Sequence, residues 1–325
     1  MQNMPANFLF NFSATLSNLL PKPMKLALKI DVDTLRGTKE GVPRLVELLK
    51  KHNAHATFLF SLGPDHTGRA IKRVFRPGFM KKVSRTSVVE HYGLKTLMYG
   101  TLLPGPDIGK RCGDIMRSVK DNGFEVGIHC NDHIKWQDYV VNKDAAWTKE
   151  QIQLAYDRFQ KIFGVPAKTH GAAGWQMNVH ALRQEQHLGF TYCSDGRGTH
   201  PFIPIYNAEI IACPQLPTTL PTLDELIGVE HITAENVAAH VLNLTETPPP
   251  TGHVYTLHAE LEGMKLAGVF KALLEGWKQQ GYELVSMQEY FDSLDKSSLP
   301  HHEFIMGEIP GRSGTLALQG NLFLA

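Results

Sequence analysis

The sequence has no CxxC pair. Its four cysteines, Cys112, Cys130, Cys193 and Cys213, are scattered. That excludes a disulfide framework and points to free thiols in a reducing compartment. No stretch reaches the ~20 apolar residues of a membrane span. The formal net charge is only +1, so the chain as a whole is no polyanion binder, and nucleic acid is not an expected partner. The first 23 residues lack a basic start and a small-residue cleavage site, which makes them a poor secretory signal. Internal repeats and a dividing linker are also missing. At 325 residues, with 42% hydrophobic content, the chain suits a globular protein with a sizeable core.

What is present is an alternation of apolar runs and amphipathic stretches. Residues 25–32 predict a buried strand, 41–53 an amphipathic helix and 56–62 a second strand. This β-α-β opening is the unit of a parallel sheet or barrel. The alternation resumes near residue 108 and continues to residue 286, with a strand expected at 210–216. About seven βα units then make one α/β domain over 24–296, and chemistry in such folds collects at the carboxyl ends of the strands. Residues 1–23 are expected to be a disordered or non-native extension, with Met24 as the natural start. Residues 297–325 predict a loose, polar, glycine-rich tail.

One segment breaks the pattern. Within residues 66–106, the stretch from Gly68 to Arg85 holds seven basic residues and no acidic one. Between them lie Ile71, Val74, Phe75, Phe79, Met80 and Val83. A basic, amphipathic, partly helical insertion of this kind, taken as residues 69–103, predicts contact with an anionic membrane surface or a lipid phosphate.

Ionisable residues stand where strands are expected to end. The first strand ends in Asp31-Val32-Asp33, the third at His129 with His133 beyond it, the fifth at Ser194-Asp195 before Arg197, and a late one at His258-Ala259-Glu260. Burial makes such groups costly unless they are used. In a strand Asp31 and Asp33 share a face. If a helix begins at His129, that residue and His133 lie one turn apart on one face. Two imidazoles and one carboxylate can hold a divalent metal with positions left open, while the second carboxylate serves as a base. The donor set suits Zn, Mn, Co or Fe. Cys130 is expected to point away from the site.

Asp31-Val32-Asp33, His129-x-x-x-His133 and Leu257-His258 resemble the polysaccharide deacetylase (NodB-homology) family, over residues 24 to about 295. The resemblance implies a distorted, incomplete (β/α)7-type barrel and metal-dependent removal of acyl groups from amino sugars. It implies Asp33, His129 and His133 as metal ligands, Asp31 as general base and His258 as general acid. A closer set resembles one branch: Thr34-x-Arg36-Gly37, Ala172-Ala173-Gly174-Trp175, Ser194-Asp195-x-Arg197 and His258-Ala259-Glu260. That branch removes a formyl group from a 4-formamido-arabinose carried on undecaprenyl phosphate. The implied partner is this lipid-linked amino sugar, and the implied location is peripheral, on the cytoplasmic face of the bacterial inner membrane. Arg36, His170, Trp175, Asp195, Arg197 and Glu260 are the candidate substrate-binding or supporting residues.

Two departures stand out. Val32 separates the two aspartates, which are adjacent in the family pattern. The family's Arg-x-x-Phe/Tyr-Pro motif is absent near residues 171–175, which leaves His170 and Arg197 as candidates for orienting the base. Two rival functions remain open, deacetylation of N-acetylated oligosaccharide or peptidoglycan, and non-catalytic glycolipid binding.

Overall fold

The computed structural model describes residues 24–70 and 93–324. The extension at 1–23 and the greater part of the basic insertion, 71–92, lie outside the described residues. The strands are β1 (Lys25–Val32), β2 (Thr57–Ser61), β3 (Glu125–Cys130), β4 (Thr169–His170), β5 (Tyr192–Cys193), β6 (Ile203–Tyr206), β7 (Glu209–Ile210), β8 (His253–His258), β9 (Glu283–Val285), β10 (His301–Gly307) and β11 (Leu316–Leu322). The α-helices are α1 (Val42–Lys51), α2 (Ile108–Asp121), α3 (His133–Tyr139), α4 (Ala145–Phe163), α5 (Val179–Leu188), α6 (Leu223–Leu226), α7 (Val237–Leu244), α8 (Ala267–Gln279) and α9 (Met287–Asp292).

β1 is covered on both faces, as its near-continuous apolar run requires. Leu26, Leu28, Ile30 and Val32 enter the large core shared with the helices. Ala27 points the other way, into a small apolar plug with Tyr192, Val254, Val285 and Tyr290. The two-residue period of a strand then places Lys29 and Asp31 on the Ala27 face, above that plug.

The large sheet runs β5-β4-β3-β2-β1-β8 in parallel pairs, and β9 joins the start of β1. Its open side is spanned by an extended segment. Leu216 N–H donates to the Cys193 carbonyl at 2.8 Å, and Thr219 N–H to the Val254 carbonyl at 3.0 Å. The expected strand at 210–216 is therefore a short strand, Glu209–Ile210, followed by this seam. Pro214 and Pro217 lack the amide hydrogens that a regular ladder needs. The result is the distorted, incomplete α/β barrel.

The expected loose tail is instead paired. β10 and β11 form a hairpin that joins β6 and β7 in a second sheet, ordered β11-β10-β6-β7. Phe304, Leu316 and Ala317 are buried there. Arg197 N–H donates to the Ala317 carbonyl at 2.9 Å, which ties this sheet to the loop after β5.

Candidate active site

The two histidines meet across a strand-to-helix turn rather than along one helix. His129 lies near the end of β3, and His133 opens α3, whose N-cap Asp132 accepts a hydrogen bond from Lys135 N–H at 3.1 Å. Their ring centres are 5.3 Å apart. Asp33 Oδ1 lies 3.2 Å from His129 Nε2 and 3.4 Å from His133 Nε2. Burial alone raises the Asp33 carboxyl, but His133, His129 and His258 outweigh it and hold it well below the usual carboxylate range.

One peptide group sets the tautomer of His129. Its Nδ1–H donates to the Gly171 carbonyl at 2.6 Å, which leaves Nε2 as the ring atom able to bind a metal. The amide hydrogen of the same peptide, on Ala172, is held by Asp195 Oδ1 at 2.8 Å. His129 Nε2 and Asp33 Oδ1 thus converge at a separation that two donors to one ion would have. Asp33 Oδ1 is moreover buried with no hydrogen-bond donor among the described residues. A divalent cation between these atoms fits, and the nitrogen and oxygen donors suit a first-row metal. Cys130 turns to Ser61 Oγ, 3.2 Å away, and burial pushes its thiol up.

Asp31 and His258 are register partners on β1 and β8. Asp31 Oδ1 is buried without a donor among the described residues and lies 3.8 Å from His129 Nδ1. Its Oδ2 faces the ammonium of Lys29 at 3.5 Å. The His258 amide donates to Glu262 Oε2 at 2.9 Å. Burial lowers the His258 pKa, but the carboxylates of Asp224, Asp33, Asp31 and Glu262 outweigh it, and the imidazole titrates above its ordinary value.

The supporting candidates divide by position. Glu260 Oε1 accepts from Asp33 N–H, Thr34 N–H and Thr34 Oγ1–H at 3.1, 2.9 and 2.8 Å, so it braces the loop that carries Asp33. His170 faces inward, with Nδ1 at 2.7 Å from Glu185 and 2.9 Å from Asp195. Arg197 donates to both Glu225 oxygens, at 2.6 and 2.9 Å. Trp175 is buried and offers no free ring face. Its backbone φ is +53°, a strained left-handed conformation, and Arg312, Arg197 and Lys29 lie 4.4, 5.0 and 5.6 Å from its ring centre. Arg36 is partly exposed on the loop after β1 and pairs with Glu40 at 3.3 Å.

Sequence reasoning did not single out Lys29, Glu185, Asp224, Glu225, Glu262 or Arg312. Asp224, Glu225 and Glu262 lie on loops and short helices with no repeating pattern to flag them. Lys29 was legible in principle, because it shares the parity of Asp31 and Asp33 in a strand buried on both faces.

This arrangement can be set beside known proteins. Residues 22–193 match the profile of the polysaccharide deacetylase family. A Shewanella sediminis protein described as a probable 4-deoxy-4-formamido-L-arabinose-phosphoundecaprenol deformylase is 40% identical over 298 residues, covering 92% of this chain and 95% of the relative. A Wigglesworthia glossinidia brevipalpis protein of the same description is 34% identical over 284 residues, covering 87% and 98%. A crystal structure from Mycobacterium smegmatis, assigned as a polysaccharide deacetylase, shares the fold, with a TM-score of 0.57 at 16% identity over 89% of this chain and 97% of its own. With its parallel barrel and paired aspartates and histidines at the strand ends, this chain belongs to the polysaccharide deacetylase family.

Proposed function

We propose that this protein hydrolyses the formyl amide of 4-deoxy-4-formamido-L-arabinose phosphoundecaprenol, releasing formate and the free amino-sugar lipid. The observation that carries the chemistry is the register pairing of Asp31 with His258 beside the Asp33–His129–His133 cluster. The substrate is taken from the description of the two curated relatives.

Asp33, His129 and His133 would hold the metal. A divalent ion bound there supplies Lewis-acid polarisation of the formyl carbonyl and makes a water molecule more acidic. Asp31, through its unpartnered Oδ1, accepts the proton of the attacking water. The water oxygen adds to the formyl carbon as the C=O π bond opens, and collapse of the tetrahedral adduct then breaks the C–N bond. His258, whose pKa its acidic neighbours raise, gives the leaving nitrogen its proton. Glu260 fixes the loop that presents Asp33, and the Gly171–Ala172 peptide fixes His129.

Residues 69–103 are proposed to meet the lipid phosphate and the inner-membrane surface. Leu94 and Leu102, 70% and 79% exposed at its described end, support that placement. No described helix is long and apolar enough to cross a membrane. The product would feed lipid A modification and, through it, polymyxin resistance.

The test is mass spectrometry of a synthetic prenyl-phosphate formamido sugar after incubation with metal-loaded protein. Loss of the formyl group is expected. Cleavage of N-acetylated oligomers with no action on the formamido lipid would overturn the proposal.

A further inference from the structure

Lys29 has no solvent exposure, although nothing about an ordinary barrel interior favours an ammonium there. Its position follows from strand parity. Ala27 sits in the apolar plug, and Lys29 and then Asp31 rise above it on the same face of β1. The space it fills is made by Gly171. A Cβ at that residue would lie 2.4 Å from Leu59 Cδ1 and 2.9 Å from Lys29 Cε. Lys29 Nζ donates to the Ser194 carbonyl at 3.0 Å and lies over the Trp175 ring. The neighbouring Arg197 is committed to Glu225, and His170 to Glu185 and Asp195. Lys29 Nζ lies 3.5 Å from Asp31 Oδ2.

We infer that Lys29 is a positioning residue for Asp31. Its ammonium engages Oδ2 at 3.5 Å and leaves Oδ1 without a donor. The two oxygens of the carboxylate are thus made unequal, one anchored and one left to accept the proton of water. The ammonium itself is fixed by the Ser194 carbonyl and the indole, so the carboxylate plane is set from below by the barrel. A carboxylate free to rotate would present its reactive oxygen only part of the time. This inference rests on the proposed role of Asp31 as base.

The test measures formate release, bound metal and thermal unfolding for Lys29→Met, Lys29→Gln, Lys29→Arg, Asp31→Asn and the Asp31→Asn/Lys29→Met double variant. Lys29→Met is expected to lose roughly 100-fold in kcat, the scale of a misplaced reacting group, with KM and metal content unchanged. Lys29→Arg is expected to recover much of that loss. In the Asp31→Asn background, Lys29→Met is expected to cost little more, since the two act through one group. If Lys29→Met does not fold, Lys29→Gln, which keeps a donor for the Ser194 carbonyl, carries the same comparison. Full kcat in a folded Lys29→Met or Lys29→Gln protein, or losses that simply multiply in the double variant, would overturn the inference. Full activity in Asp31→Asn would instead remove the base assignment beneath it.

Discussion

Asp31 and His258 face each other in register across β1 and β8. The proposed base and acid therefore sit on neighbouring strands of one sheet. Asp31→Asn and His258→Ala are each expected to lower formate release by roughly 10²–10⁴-fold, the usual range for a lost acid or base. Both should keep their metal by elemental analysis. Wild-type turnover in His258→Ala would remove it as the acid.

The Asp33–His129–His133 cluster leads to a different expectation. Treatment with a chelator should abolish formate release, and adding a divalent first-row metal should restore it. His129→Ala and Asp33→Ala should lose bound metal and turnover together. A variant of either residue that retained stoichiometric metal would show that the ion binds elsewhere.

Glu260 gives a prediction about stability. Burial, and then the nearby Asp33 charge, push its carboxyl up to about 8, so at neutral pH it is largely protonated. Its Oε1 accepts three hydrogen bonds, and its Oε2 has no partner. A glutamine copies that pattern. Glu260→Gln should stay near wild type in urea unfolding. Glu260→Ala should lose roughly 1–3 kcal/mol for each buried donor left unsatisfied. Equal losses in the two variants would contradict the bracing role.

His170 gives a pH dependence with a definite sign. Burial lowers its pKa, but Asp195 and Glu185 outweigh burial and raise it from 6.5 to about 10. The folded state thus holds a proton that the unfolded chain gives up. The stabilisation is complete below 6.5 and is lost as pH rises towards 10. Glu185, raised from 4.5 to about 8 first by burial and then by Asp195, also makes stability fall with rising pH. Urea midpoints measured across this window should decline, and His170→Asn should flatten the slope. That variant should also lose roughly 3–5 kcal/mol, the scale for breaking a buried pair. A midpoint that rose with pH would refute the assignment.

How legible each part was depended on how local its signal is. Asp31, Asp33, His129 and His258 were readable because each ends an apolar run, where an ionisable group needs a reason to be present. The helices α1 and α4 were readable from their amphipathic spacing. β10 and β11 were not. Their residues look polar and glycine-bearing, and the partner that makes them a sheet, β6, lies about one hundred residues earlier. His129 and His133 illustrate a milder miss. Their spacing suited a helical turn, but the cap at Asp132 starts the helix after His129, and the same convergence arises across a bend. Lys29 was overlooked, although its parity with Asp31 in a strand expected to be buried marked it.

The late hairpin has a consequence in time. Arg312 donates to Glu225 at 2.8 Å, the Thr315 carbonyl accepts from Gln176 at 2.7 Å, and Ala317 holds the loop of Arg197. All three contacts frame the Trp175 side of the site, and all come from chain made after Asp31, Asp33, His129, His133 and His258. During synthesis strands β1 to β9 all precede this frame out of the ribosome. Catalytic competence would then arrive as a late event, set by the exit of residues 301–322 and not by closure of the barrel.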